Sequence, residues 1–117
     1  MNPTTIESTD RLKSFEEFWP FYVREHSRPI NRTLHFIGST LGLVCLLETL
    51  ITGFLWLIPL GLVIGYGFAW VGHFFIERNK PATFRYPLWS FRADWKMWFL
   101  ILSRRMDAEV RRAIERI

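Results

Sequence analysis

The chain has 117 residues, half of them hydrophobic and 17% aromatic, with 15 Lys and Arg against 11 Asp and Glu for a formal net charge of +4. That length allows one domain, the apolar share excludes a disordered chain, and a single cysteine, Cys45, excludes both a disulfide framework and a Cys-based metal site. The positive charge does not point to nucleic acid, because the basic residues sit beside apolar stretches, where membrane topology and anionic lipid account for them.

In chain order, residues 1–13 read as a polar tail. Met1 to Asp10 has neither the basic n-region nor the apolar h-region of a signal peptide, so membrane insertion falls to the first span itself. Residues 14–33 read as an interfacial helix and the approach to that span. Ser14 and Glu17 have capping-box spacing, and Phe15, Phe18, Trp19 and Tyr22 recur at helical intervals, which predicts a short amphipathic helix that Pro20 kinks or restarts. Its aromatic face suits the headgroup layer, packing against the hairpin's own base, or both at once. Ser27 and Pro29 predict the next helix start, with Ser27 as the cap. On that helix Asn31 and His35, four apart, share a face, while His26 lies just before the break and is free to fold back toward them.

From Thr33 to Glu77 there is no Lys or Arg. The run is too long for one bilayer crossing and right for two of roughly 20 residues, so residues 34–76 are predicted to form a transmembrane hairpin, Leu34 to Thr52 and Leu55 to Phe75, turning at Thr52 and Gly53. Gly38 and Gly42 in one span, and Gly61, Gly65 and Ala69 in the other, have the small-residue spacing of a close helix contact. Glu48 is the one charge well inside the run and is expected either to snorkel to the far interface or to be protonated. Five Lys and Arg precede the hairpin and ten follow it, while its turn carries none, which predicts a multi-pass protein with both termini cytoplasmic. The host would be a bacterial inner membrane or the endoplasmic reticulum. A water-soluble domain with the run as a buried hairpin is the alternative.

Beyond the hairpin, His73 and Glu77 are i and i+4 and predicted to stack on one helical face. Pro81 ends the helix, and the loop to Pro87 offers Lys80, Arg85 and Tyr86 to an anionic head group. Residues 87–117 read as two helices. The first is apolar but crossed by Arg92, Asp94 and Lys96, so it is expected in the interface, with Asp94 either at the site or paired with Arg92 or Lys96. The second, with Met106, Val110, Ile114 and Ile117 on one stripe, reads as a cytoplasmic amphipathic helix. The fold class expected is all-α: a two-span membrane hairpin with flanking amphipathic helices, residues 1–117 forming one membrane domain.

Equal distances from the turn bring His35 and His73 to the same membrane face, so all three histidines, with Glu77, collect at the cytoplasmic base of the hairpin. Histidines with one carboxylate and open positions are the pattern of a non-haem Fe(II) oxygenase, and such ligands can equally hold Zn(II). Three histidines are too few for a di-iron site, so a mononuclear centre with His26, His35, His73 and Glu77 as metal and catalytic residues is expected. A bis-histidine haem on His35 and His73, or a structural membrane protein whose histidines only hydrogen-bond, are the other readings.

The motifs EHSRPINRTLHFIG, with His26, Asn31 and His35, and GHFFIERNKPA, with Gly72, His73, Glu77, Pro81 and Ala82, resemble the membrane family that includes the fungal endoplasmic-reticulum 2-hydroxy fatty acid dioxygenase. The resemblance spans roughly Phe18 to Trp98. It implies Fe2+-dependent α-oxidation, in which a long-chain 2-hydroxy acid loses one carbon with O2, and it maps the family's histidines onto His26, His35 and His73. In that scheme the acid chelates the metal through its carboxylate and hydroxyl, Asn31, Lys80 and Arg85 serve substrate binding, and the alkyl tail lies in lipid or along the Gly-lined hairpin. The chain departs from the fungal pattern in being shorter and in the sequence after Ala82. Oligomeric state is left open.

Overall fold

The structure, a computed structural model, describes residues 11–115. Its elements in order are α1 (Phe15–Arg24), α2 (Pro29–Thr52), α3 (Leu57–Val71) running on into a π-helical turn (Gly72–Glu77), a 3-10 turn (Ala82–Phe84), α4 (Pro87–Leu102) and α5 (Met106–Glu115). Among the described residues there is no strand, and the all-α hairpin expected from the sequence is the architecture found.

The hairpin of α2 and α3 is the most extensive packing contact in the molecule. α2 ends on Gly53, whose φ of 76° is the left-handed conformation that glycine adopts without a Cβ penalty. The two helices meet where side chains are missing: a Cβ on Gly38 would fall 2.7 Å from the Phe68 Cβ, and one on Gly61 would fall 2.9 Å from the Cys45 Cβ. Gly65 is looser, since a Cβ there would meet only the Gly38 carbonyl oxygen, at 3.6 Å. The tight pair is therefore Gly38 and Gly61.

Both arms are long and apolar enough to cross a membrane, as Pro29–Thr52 and Leu57–Glu77, yet only 17% and 22% of their most apolar windows are buried within the protein. Leu50 and Ile51 are 75% and 77% exposed. A soluble protein with this hairpin as its core would bury it. Apolar surface this extensive is what a bilayer or a partner surface covers, and the two arms have the length and composition of membrane spans.

A second, aromatic core lies outside the hairpin. α1 buries Phe15, Phe18, Trp19, Tyr22 and Val23 against α4 and α5, whose Ala93, Met97, Met106 and Ala113 share the cluster with Ala82 and Tyr86. Within the protein the α1 aromatic face packs on α4 and α5 and not chiefly on the base of the hairpin. Ser14 caps α1 through Oγ, which accepts from the Glu17 amide at 3.2 Å. Pro20 neither ends nor restarts the helix, which continues for ten residues around it; packing of the aromatic face outweighs the one backbone hydrogen bond lost.

Three expectations change. Arg11 and Leu12, read as tail, are docked: the Arg11 guanidinium donates to the Arg85 carbonyl, and the Leu12 amide donates to the Tyr86 hydroxyl. Residues 1–10 of the expected tail lie outside the described residues. On α5 the buried face is Met106 and Ala113, with Ile114 exposed, because the helix packs on α1 and does not lie free on a surface; Ile117 lies outside the described residues. Arg92 and Lys96 do not pair with Asp94 but stand over aromatic rings of α1, Arg92 4.0 Å from the Phe15 centroid and Lys96 4.2 Å from that of Trp19. α4 lies alongside the first half of α2, with Trp98 stacked on Phe36 at 5.8 Å and its indole N–H donating to Thr40 Oγ1 at 3.0 Å.

Candidate metal centre

Three elements each deliver one histidine to a single point. His26 occupies the corner between α1 and α2, and the corner is held by Arg32, whose buried guanidinium donates to the carbonyls of His26 (2.8 Å) and Ser27 (2.7 Å). Arg32 is thus a structural clamp and not merely a flanking positive charge. His35 lies farther along α2, and His73 lies in the π-helical turn that ends the returning arm. All three are buried, and one nitrogen from each lies within 4.8 Å of the others. Ring centroids are 4.4 Å (His26–His35), 4.5 Å (His26–His73) and 5.1 Å (His35–His73) apart, with the planes near perpendicular in every pair.

The Nδ1 side of each ring is turned away toward a protein group. His26 Nδ1 is 2.6 Å from the Tyr22 carbonyl oxygen, so it carries the proton and donates. His73 Nδ1 donates in the same way to Asn79 Oδ1 at 2.6 Å. His35 Nδ1 faces the Asp94 carboxylate at 4.0 Å, beyond hydrogen-bond range. That leaves Nε2 as the lone-pair nitrogen of His26 and of His73, and the Nε2 atoms of His26 and His35 are buried with no partner at all. An orphaned buried acceptor costs about 1–3 kcal/mol. Burial, followed by the two neighbouring imidazoles, holds His26 well below the usual histidine pKa, so its ring is neutral at neutral pH, as a metal ligand must be.

A small cavity of about 10 Å³ adjoins the three rings, bounded also by Tyr22, Ser90 and Asp94. Burial pushes the Asp94 carboxyl up to about 7, against the lowering effect of the Tyr22 hydroxyl, which donates to it at 2.5 Å. Ser90, one turn before Asp94 on α4, is buried with its Oγ unpartnered. Neutral imidazoles with free Nε2 atoms beside a cavity this small fit one divalent first-row metal ion. They do not fit a haem, because His26 packs against both His35 and His73 where a macrocycle would have to lie.

The other sequence candidates fall elsewhere. Glu77 is not brought into the group: its carboxylate accepts from the Arg28 amide (2.6 Å), the Ser27 hydroxyl (3.2 Å) and the Asn31 amide (3.4 Å). It sits at the N-terminus of α2, where a negative charge favours the helix dipole, and Ser27 donates to it instead of capping the helix. The physical reason is the three donors gathered at the start of α2, which take up the Glu77 carboxylate. Asn31 is fully buried against Gly72, where there is no room for a Cβ. Lys80 is exposed, and the Arg85 guanidinium lies 5.6 Å from the Tyr86 ring centroid. Glu48 is exposed, and its carbonyl accepts from Thr52 Oγ1 near the hairpin turn.

Asn79, Ser90 and Tyr22 are the site residues that sequence reasoning missed. Asn79 reaches His73 because Arg78 takes a left-handed conformation (φ 58°) that folds the chain back under the ring, with the Asn79 amide donating to the His73 carbonyl at 2.9 Å. The only signal for Ser90 is its position four residues before Asp94 on a helix.

Comparison with known proteins finds a match to one family model, described as 2-hydroxy-palmitic acid dioxygenase Mpo1-like, over residues 12–106. No curated protein and no solved structure matches the chain.

Proposed function

The chain belongs to the Mpo1-like family, and from that membership together with the three converging imidazoles we propose that it is an Fe(II)-dependent membrane enzyme that shortens a long-chain 2-hydroxy fatty acid by one carbon. The observation that carries the reading is the pair of buried, unpartnered Nε2 atoms on His26 and His35. Histidines that served only to hydrogen-bond would not leave their acceptor nitrogens bare against each other in a buried site.

His26, His35 and His73 would hold the ion, and Fe(II) would supply the one-electron chemistry that dioxygen needs to react with a closed-shell acid. The overall balance R–CHOH–COOH + O2 → R–COOH + CO2 + H2O closes with dioxygen as the sole oxidant and breaks the bond between the carboxyl and hydroxyl-bearing carbons. The chain's own polar groups divide the remaining work. The Ser90 hydroxyl is available to the acid's head group, and Asp94, held by Tyr22, is placed to accept a hydrogen bond from the substrate hydroxyl. The tyrosine's proton stays put, since burial and the Asp94 charge push its pKa up. The basic flanks support a cytoplasmic location for the three histidines and both termini.

Elemental analysis of anaerobically purified protein tests the reading, together with product analysis after 2-hydroxyhexadecanoic acid and air are added. We expect about one iron per chain and a fifteen-carbon acid as product. Full metal occupancy in the His35→Ala, His73→Ala double variant would sink the proposal.

A further inference from the structure

A second, larger cavity of about 180 Å³ begins where the small one ends. His35, Tyr66, Ala69 and Asp94 line both. It exists because α4 packs on α2 and α1 but makes no comparable contact with α3, so one flank of the hairpin is left uncovered. Its floor is nearly bare backbone, since Gly42, Gly61 and Gly65 contribute no side chain. Leu43, Leu46, Ile58 and Leu62 form its walls away from the histidines, with Leu62 51% exposed on the surface that faces the surrounding apolar medium. The ionisable groups His35 and Asp94 lie at the end nearest the small cavity, and the buried His35 Nε2 has no partner.

Resting on the function proposed above, we propose that this groove is a laterally open acyl-chain subsite: it takes the tail of a 2-hydroxy fatty acid directly from the bilayer, head group toward His35 and Asp94, chain end toward Leu46 and Ile58. The polarity gradient fits an amphiphile in that orientation, because a carboxylate has no place among the leucines and an alkyl chain gains nothing beside Asp94. From His35 to Leu46 the helical rise gives about 16 Å, the length of about 13 extended methylenes. With the two head-group carbons, the groove suits an unbranched acid of about 15 carbons. Lateral loading also lets the tail remain in apolar surroundings throughout, so that only the head group is desolvated on binding.

The test uses the full chain in nanodiscs, without turnover, and a 2-hydroxyhexadecanoic acid bearing a photoreactive diazirine at its terminal carbon. Mass spectrometry is expected to find the label on Leu46, Ile58 or Leu62, with competition by unlabelled 2-hydroxy acid. Gly65→Leu places a side chain in the groove where a Cβ meets only ordinary contact, and should lower labelling at least tenfold while metal content stays unchanged. Ser39→Leu, from the opposite wall, gives the same result independently should the first variant fold poorly. Leu46→Trp should shift the best competitor at least two carbons shorter. Label spread over lipid-facing residues such as Leu50, or labelling of the groove by a diacyl phosphatidylcholine probe with no competition from the 2-hydroxy acid, overturns the subsite. Because labelling needs no catalysis, groove labelling in a protein that binds no iron would refute the enzymatic reading and leave the subsite standing; bound iron without groove labelling would do the reverse.

Discussion

Asn79 accepts a hydrogen bond from Nδ1 of His73 at 2.6 Å while its own NH2 donates to the Glu25 carbonyl at 3.1 Å. One amide thus ties the end of the hairpin to the corner that carries His26, and fixes the His73 tautomer so that Nε2 is the free nitrogen. Partners of this kind tune metal ligands without touching the metal. Asn79→Ala should weaken metal binding by about 10- to 100-fold with little change in helix content. Competition with a chelator of known affinity measures it, and unchanged affinity would remove Asn79 from the site.

Glu77 gives a contrasting expectation. Its carboxylate gathers the Arg28 amide, the Ser27 hydroxyl and Asn31 at the start of α2, so Glu77→Ala should cost stability on the order of 1–2 kcal/mol, as losing a helix cap does. Metal stoichiometry should survive at saturating metal. Loss of the bound ion from a variant that remains folded in a detergent-denaturation assay would return Glu77 to the ligand set.

Gly72 tests the same junction from the other side. Asn31 fills the space where its Cβ would be, so Gly72→Ala must displace Asn31 and with it the contact between α2 and the π turn. We expect a lowered thermal midpoint and weakened metal binding together. A variant indistinguishable from the parent in both would show that the junction is more plastic than its packing implies.

Hairpin packing makes a prediction that discriminates among glycines. Gly38→Leu and Gly61→Leu should each destabilise the protein by about 1–3 kcal/mol, as overpacking does, because a Cβ alone already lies within 3 Å of a neighbour. Gly65→Ala should be tolerated. Equal thermal midpoints for Gly61→Leu and Gly65→Ala in detergent would contradict the close approach.

Orientation is open to a direct check. With both termini cytoplasmic, a periplasmic-type reporter fused at Gly53 should be active, and the same reporter after Ser14 or Ile117 should be silent. Activity in the opposite pattern would place the histidines on the other face.

What the sequence determined by itself was the hairpin and the meeting of its ends. An apolar run free of Lys and Arg, with a glycine turn midway, dictates two antiparallel helices of similar length, and His35 and His73 then meet whatever the rest of the chain does. Those are consequences of local hydrogen bonding and length, which need no partner. Ser14, Glu17 and the aromatic spacing of α1 were legible for the same reason. The rest depended on contacts between segments distant in sequence. Nothing local marks Gly72–Glu77 as a π turn, or shows that donors at the N-terminus of α2 take up the Glu77 carboxylate. Nor does the sequence reveal that Arg78 turns left-handed to bring Asn79 under His73, or that Arg92 and Lys96 spend their charge on α1 rings and leave Asp94 facing His35. Helical periodicity states which residues share a face; which face is buried, and against what, is settled by packing free energy summed over elements that the chain brings together only when it folds.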